Sequence, residues 1–376
     1  MQKRNILNLS LHLVLLILAM SYGMLAVKFQ LPPSQYLINR YNTLRSEAST
    51  ESPMSHTKKE VAALISIRQP QDVPKRRNEL ITFLWGSSGL PLSLPTNIKK
   101  RISDSRYDDV GSLRNIDNLV ITMAYDLKSY AYHFKPEKPN NKLILYHQGH
   151  GGDFILGKKQ IENFIENGYA VLAFSMPLLG LNNNPIVEIP HIGRLRMTSH
   201  DHMKFLSPDG GHPVKFFVEP VVIALNYIDR TFNYSSISMV GISGGGWTTT
   251  LAAAVDARIG YSFPVAGSYP IFLRANSIKD WGDYEQNTPE LYKTANYLEL
   301  YVLGSHGNGR KQLQVINQYD SCCFEGMKWQ TYKDVVVEQV HQLGSGEYDL
   351  FMDHSHRGHL ISDIVTNRIL DELENE

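Results

Sequence analysis

The chain reads as an α/β protein with a mostly parallel central sheet and helices on both faces. Two observations predict this. Short apolar runs of the buried-strand type recur after residue 117, among them Lys142 to Tyr146 (KLILY), Tyr169 to Phe174 (YAVLAF) and Ile237 to Ile242. Between them lie segments with helical spacing. Strands that alternate with helices favour a parallel sheet buried on both sides.

The elements follow in order from the N-terminus. Lys3 and Arg4 precede a mostly apolar run from Ile6 to Val27, just long enough to span a bilayer. It reads as an uncleaved signal anchor, or as a signal peptide with Ser21 and Gly23 marking a cleavage site. Continuation of the run through Met24 to Val27 favours the anchor. The basic leading end puts the rest of the chain outside the cytoplasm, anchored to the membrane or exported. This assigns residues 1–28 to the membrane or export segment and residues 29–116 to a helical or irregular extension. Within the extension, Ser46 to Lys59 reads as a linker and Pro74 to Trp85 as a short amphipathic helix. Residues 117–376 form the principal domain.

In that domain Asn118 to Met123 and Lys128 to Phe134 read as paired strands. Helices are expected near Lys158 to Asn167, Pro213 to Phe232 and Trp247 to Val255. Further strands are expected at Tyr261 to Val265, Leu313 to Ile316 and Tyr348 to Met352, before a terminal helix from Leu360 to Leu373. The formal net charge is +0 and no basic run stands out, so nothing points to nucleic acid. The 2 cysteines, Cys322 and Cys323, are adjacent and cannot staple distant segments. They read as two thiols, the alternative being a strained vicinal disulfide.

Gly241-Ile242-Ser243-Gly244-Gly245 fits G-x-S-x-G between an apolar strand and a helix. That context marks a nucleophile elbow, a sharp turn that lifts a serine above the sheet edge. A serine needs a base, and the base needs an acid to orient it. Asp320 follows the strand Leu313 to Ile316, and strand carboxyl ends are where open α/β sheets gather their sites; Asp353 is the competing acid. After the last strand, Asp353-His354-Ser355-His356-Arg357-Gly358-His359 offers three histidines. His359 is preferred because it follows a glycine at the mouth of the terminal helix; His356 and then His354 come next. Oxyanion donors are expected from the backbone N–H of His150, in the turn His147-Gln148-Gly149-His150-Gly151-Gly152, and of Gly244. Trp247 and Trp281 are candidate substrate-binding rings.

These residues resemble the α/β-hydrolase superfamily from about Asp117 to the C-terminus. The resemblance rests on the order HQGHGG, GISGG, Asp320 and His359, with Gln148 departing from the usual H-G oxyanion turn. It implies a serine hydrolase that cleaves a carboxylic ester or related acyl bond on a small-molecule or polymer-borne substrate, with neither metal nor other cofactor. A prolyl-oligopeptidase type of peptidase and an acyltransferase share the same residues. A metallohydrolase is a rival through His147 and His150, which are spaced like ligands, with His200-Asp201-His202 as a second cluster, although no H-E-x-x-H or H-x-H-x-D-H pattern appears. A non-catalytic binding relative is a further rival, but no member of the triad is evidently lost.

Overall fold

The computed structural model describes residues 19, 21–23, 56–274 and 280–376. The apolar run Ile6 to Val27 therefore lies almost wholly outside the described residues. Among those residues, no helix is long and apolar enough to cross a membrane. Residues 1–52 and 53–376 form separate units.

The second unit is built around a nine-stranded sheet. In chain order the strands are β1 (Asn97–Ile102), β2 (Leu113–Thr122), β3 (Lys128–Pro136), β4 (Lys142–His147) and β5 (Ala170–Phe174). A separate hairpin of β6 (Ile186–Ile189) and β7 (Gly193–Arg196) comes next. The sheet is completed by β8 (Ser236–Ile242), β9 (Tyr261–Val265), β10 (Lys311–Asn317) and β11 (Glu347–Asp353). The order across the sheet is β1-β2-β3-β5-β4-β8-β9-β10-β11. From β5 to β11 all neighbours are parallel, whereas β1, β2 and β3 add an antiparallel end.

Alternation along the strands builds two cores. On β4, Leu143 and Leu145 face one layer while Ile144 and Tyr146 face the other. The first layer takes helices Asp72–Trp85, Glu219–Thr231, Gly244–Val255, Tyr297–Ser305 and Lys333–Gln342. The second takes Lys158–Glu166 and the terminal helix Asp363–Glu374. Helices Gly244–Val255 and Tyr297–Ser305 are buried along their whole length, while the others present an apolar stripe to the sheet, and that burial is what stabilises them.

The segment expected to be an extension contributes to this unit. Strand β1 pairs with β2, and Leu80 and Leu84 of helix Asp72–Trp85 are fully buried in the first layer. The last residues of the expected linker, Lys58 and Lys59, open a helix capped by Thr57 and Glu60. Both cysteines are free thiols, so the vicinal disulfide is not formed.

Candidate functional site

Parallel pairing brings the site segments to one edge. His147 at the end of β4 is in register with Gly241 near the end of β8, so the turns that follow these strands are neighbours. Ser243 follows β8 with φ 59° and ψ −126°, a conformation rare outside glycine. Its amide donates to Val265 O (2.9 Å), and its carbonyl receives the amide of Trp247 (3.0 Å) in the helix Gly244–Val255. This strained turn between strand and helix is the expected elbow geometry. The glycines permit it: a Cβ on Gly245 would fall 2.1 Å from His147 O.

The turn after β4 packs directly on the elbow. A Cβ on Gly149 would lie 2.5 Å from the Ser243 Cβ and 3.2 Å from the Gly244 nitrogen. A Cβ on Gly244 would lie 2.5 Å from the His150 ring. The His150 ring thus packs on Gly244, the residue after Ser243, while Gly149 packs on Ser243 itself.

Asp320 and His359 meet although 39 residues separate them. Asp320 is fully buried. Its Oδ1 accepts the amides of Cys322 (2.8 Å) and Cys323 (3.3 Å), and its Oδ2 accepts Asn317 Nδ2 (3.1 Å) and His359 Nδ1 (2.8 Å). A carboxylate only accepts, so His359 carries its proton on Nδ1. The opposite nitrogen, Nε2, is buried and has no hydrogen-bond partner among the described residues. Burial opposes charge on this ring, but the Asp320 bond and carboxylate outweigh it and raise the His359 pKa above the ordinary imidazole value.

The competing residues pair with each other. His356 Nε2 lies 3.1 Å from Asp353 Oδ2, while His356 Nδ1 accepts the Gly358 amide (3.1 Å). Asp353 also accepts the Ser355 amide (2.8 Å) and the Ser362 hydroxyl (2.5 Å). Both residues thereby fasten the turn between β11 and the terminal helix. His354 is exposed.

Trp247 does not fit a substrate-binding role. It is fully buried, donates from Nε1 to Tyr292 OH (2.8 Å) and meets Phe217 edge to face. Trp281 is 53% exposed and lines a cleft of about 790 Å³ with Asp201, His212, Asp283 and Tyr284. The ligand pair His147 and His150 is not assembled: His147 Nδ1 bonds Gln148 O (2.9 Å), and burial lowers its pKa to about 4. His202 instead accepts the Thr198 amide (3.2 Å) in a local turn.

Sequence reasoning missed Asp283 and Glu285, which hold His150. His150 Nε2 lies 2.8 Å from Glu285 Oε1 and 2.9 Å from Asp283 Oδ2. Burial works against charge on His150, yet these two carboxylates raise its pKa to about 10. A glutamate with no solvent exposure was the available signal, but burial cannot be read from an irregular segment.

The chain has the α/β-hydrolase fold. No family profile and no curated protein sequence matches it, and the assignment rests on solved structures. The methylesterase BT1017 superposes with a TM-score of 0.57 at 14% identity, covering 89% of this chain and 68% of its own. Acetyl xylan esterase 1 from Thermoanaerobacterium sp. JW/SL YS485 gives 0.52 at 14% identity over 85% and 98% of the two chains. The acetyl xylan esterase from Paenibacillus sp. R4 gives 0.51 at 15% identity over 85% and 99%.

Proposed function

We propose that the chain is a serine hydrolase that cleaves a carboxylic ester or related acyl bond, with Ser243 as nucleophile, His359 as base and Asp320 as its orienting acid. One observation carries the reading. The Asp320–His359 bond fixes one nitrogen of the imidazole and leaves the other buried and unpaired. That is what a general base needs: a set tautomer and a free lone pair. The strained Ser243 turn and the esterases among the similar folds support the same reading.

In this mechanism His359 Nε2 takes the Ser243 hydroxyl proton as Oγ attacks the acyl carbon. Asp320 stabilises the imidazolium formed without itself taking the proton. The amides of His150 and Gly244 are the proposed donors to the oxyanion, each worth about 10²–10³ in rate. The imidazolium then protonates the leaving alcohol, and water repeats the cycle on the acyl-enzyme. The substrate is an acyl ester on a small molecule or polymer, and Trp281 is the remaining candidate for its wall.

Labelling with a fluorophosphonate probe tests the nucleophile. The full chain should label and Ser243→Ala should not, with both folded by circular dichroism. A panel of esters of increasing acyl length then defines the substrate. Lys3, Arg4 and the following apolar run support a location outside the cytoplasm, anchored or exported. Protease added once an outer barrier is opened should digest the hydrolase unit; protection until the inner membrane is broken would contradict that topology.

A further inference from the structure

Beside the elbow, four side chains from distant segments converge: His150, His200, Asp283 and Glu285. Their donor atoms all lie within 4.8 Å of one another. His150 Nε2 meets one oxygen of each carboxylate, Glu285 Oε1 and Asp283 Oδ2. On the other side of Glu285, Oε2 faces His200 Nδ1 at 3.2 Å. The two imidazole rings are 5.1 Å apart.

The protonation of His200 is the informative detail. Its Nε2 lies 2.9 Å from the carbonyl oxygen of Pro177, which can only accept. Nε2 therefore carries the proton, and in the neutral ring Nδ1 presents a lone pair. That lone pair lies 3.2 Å from a carboxylate oxygen which itself accepts no hydrogen bond among the described residues. Glu285 is fully buried, away from bulk water. Burial of an unsatisfied carboxylate oxygen is costly, and a shared cation removes the cost.

Charge and spacing agree. Two neutral imidazoles and two carboxylates carry a charge of −2, which matches a dication. Donors at about 2.0–2.1 Å on a tetrahedron sit roughly 3.3–3.4 Å apart. Three of the six donor pairs, at 2.8, 2.9 and 3.2 Å, are close to this, and the remaining pairs lie within 4.8 Å. The bond from His200 to a backbone carbonyl is the usual support for a metal-bound histidine.

We propose that His150, His200, Asp283 and Glu285 form a binding site for a divalent transition-metal cation of the zinc type. Mixed nitrogen and oxygen donors suit zinc better than calcium or magnesium. All four positions are filled by protein, so the site is structural, with no position left open for a reacting water. The ion ties the segments around His200 and 283–285 to the turn that packs on Ser243. The proposal is independent of the acyl chemistry, because the cluster stands whether or not Ser243 reacts.

Metal binding is the direct test. The full chain, stripped with a chelator, is dialysed against Zn²⁺ alone and, in parallel, against Co²⁺. One equivalent of zinc per chain is expected, together with the strong visible absorption of tetrahedral cobalt and a rise in Tm. Asp283→Asn and His200→Gln should each weaken uptake at least tenfold, while His202→Gln, outside the cluster, should not. Asp283 is half-exposed, so its variant carries little risk to folding. Absence of stoichiometric zinc uptake, or uptake equal to wild type in both cluster variants, would overturn the proposal and leave a protonated His150 as the partner of the two carboxylates.

Discussion

Two histidine–carboxylate pairs follow the last strands, and their imidazoles are hydrogen-bonded in opposite ways. In the Asp320–His359 pair the carboxylate holds Nδ1 and leaves Nε2 unpaired. In the Asp353–His356 pair Nδ1 spends its lone pair on the Gly358 amide, and Nε2, which then carries the proton, lies 3.1 Å from Asp353 Oδ2 without forming a hydrogen bond among the described residues. The residue types match, and both aspartates are buried. What separates the two imidazoles is whether a lone pair remains free. Composition of the DHSHRGH segment cannot reveal that; hydrogen-bond bookkeeping can.

Variants of the two pairs should behave in opposite ways. The largest effect is expected from His359→Ala, which should lower kcat by on the order of 10⁴ or more, since members of such a unit are not separable. Steady-state kinetics on the ester identified by the panel measures it. A His359→Ala variant with near wild-type kcat, beside an inactive His356→Ala, would invert the comparison.

Asp320→Asn should be nearly as damaging, by about 10³–10⁴ in kcat, because an amide can hold the wrong tautomer. A folded and fully active Asp320→Asn would move the acid elsewhere. The pH profile sharpens the same point. His359 must be neutral to act, so kcat/KM should fall as pH drops through its pKa. That limb should lie above the ordinary imidazole value in the wild type, since Asp320 raises it. In Asp320→Asn the residual activity should show the limb displaced to lower pH. An unmoved limb would separate the observed ionisation from His359.

The smallest catalytic effect is expected at the Asp353–His356 pair. Asp353→Asn and His356→Ala should change kcat less than about tenfold while costing roughly 1–3 kcal/mol of stability through lost or unsatisfied buried hydrogen bonds. Urea unfolding followed by circular dichroism measures the cost. Unchanged stability with lost activity would mean that this pair, too, serves the chemistry.

Much of this arrangement is legible from residues alone. Apolar runs locate β4, β5 and β8 to within a residue or two, because strands buried on both faces leave no other pattern. The elbow is legible because its glycines are sterically forced. Strand β1 is not: Asn97–Ile102 reads NIKKRI, and an exposed edge strand tolerates charge and shows no alternation. Trp247 is easily misread because nearness in sequence to Ser243 says nothing about direction; one turn into the helix, the ring points into the core. Asp283 and Glu285 sit around the four-residue helix Tyr284–Asn287, where no periodicity exists. Glu285 and its partner His150 are 135 residues apart. Pairing at that range is a property of the assembled fold.

The late position of His359 has a consequence for the order of events during synthesis. The turn that carries it is held from behind by the helix Asp363–Glu374, whose Val365, Ile369 and Leu373 are fully buried in the second layer. Lys142 Nζ reaches the carbonyl of Leu373 (2.6 Å), Lys311 Nζ pairs with Glu372 (2.9 Å), and Gln160 Nε2 grips the carbonyl of Ile361 (2.9 Å). These anchors come from early, middle and late parts of the chain, so the helix docks only after the sheet has formed. Such long-range closure is slow. A nascent polypeptide can therefore expose Ser243 on the ribosome while the proposed base is still missing. On the proposed reading, Ser243 meets its base only once the helix Asp363–Glu374 has locked against β4 and β10.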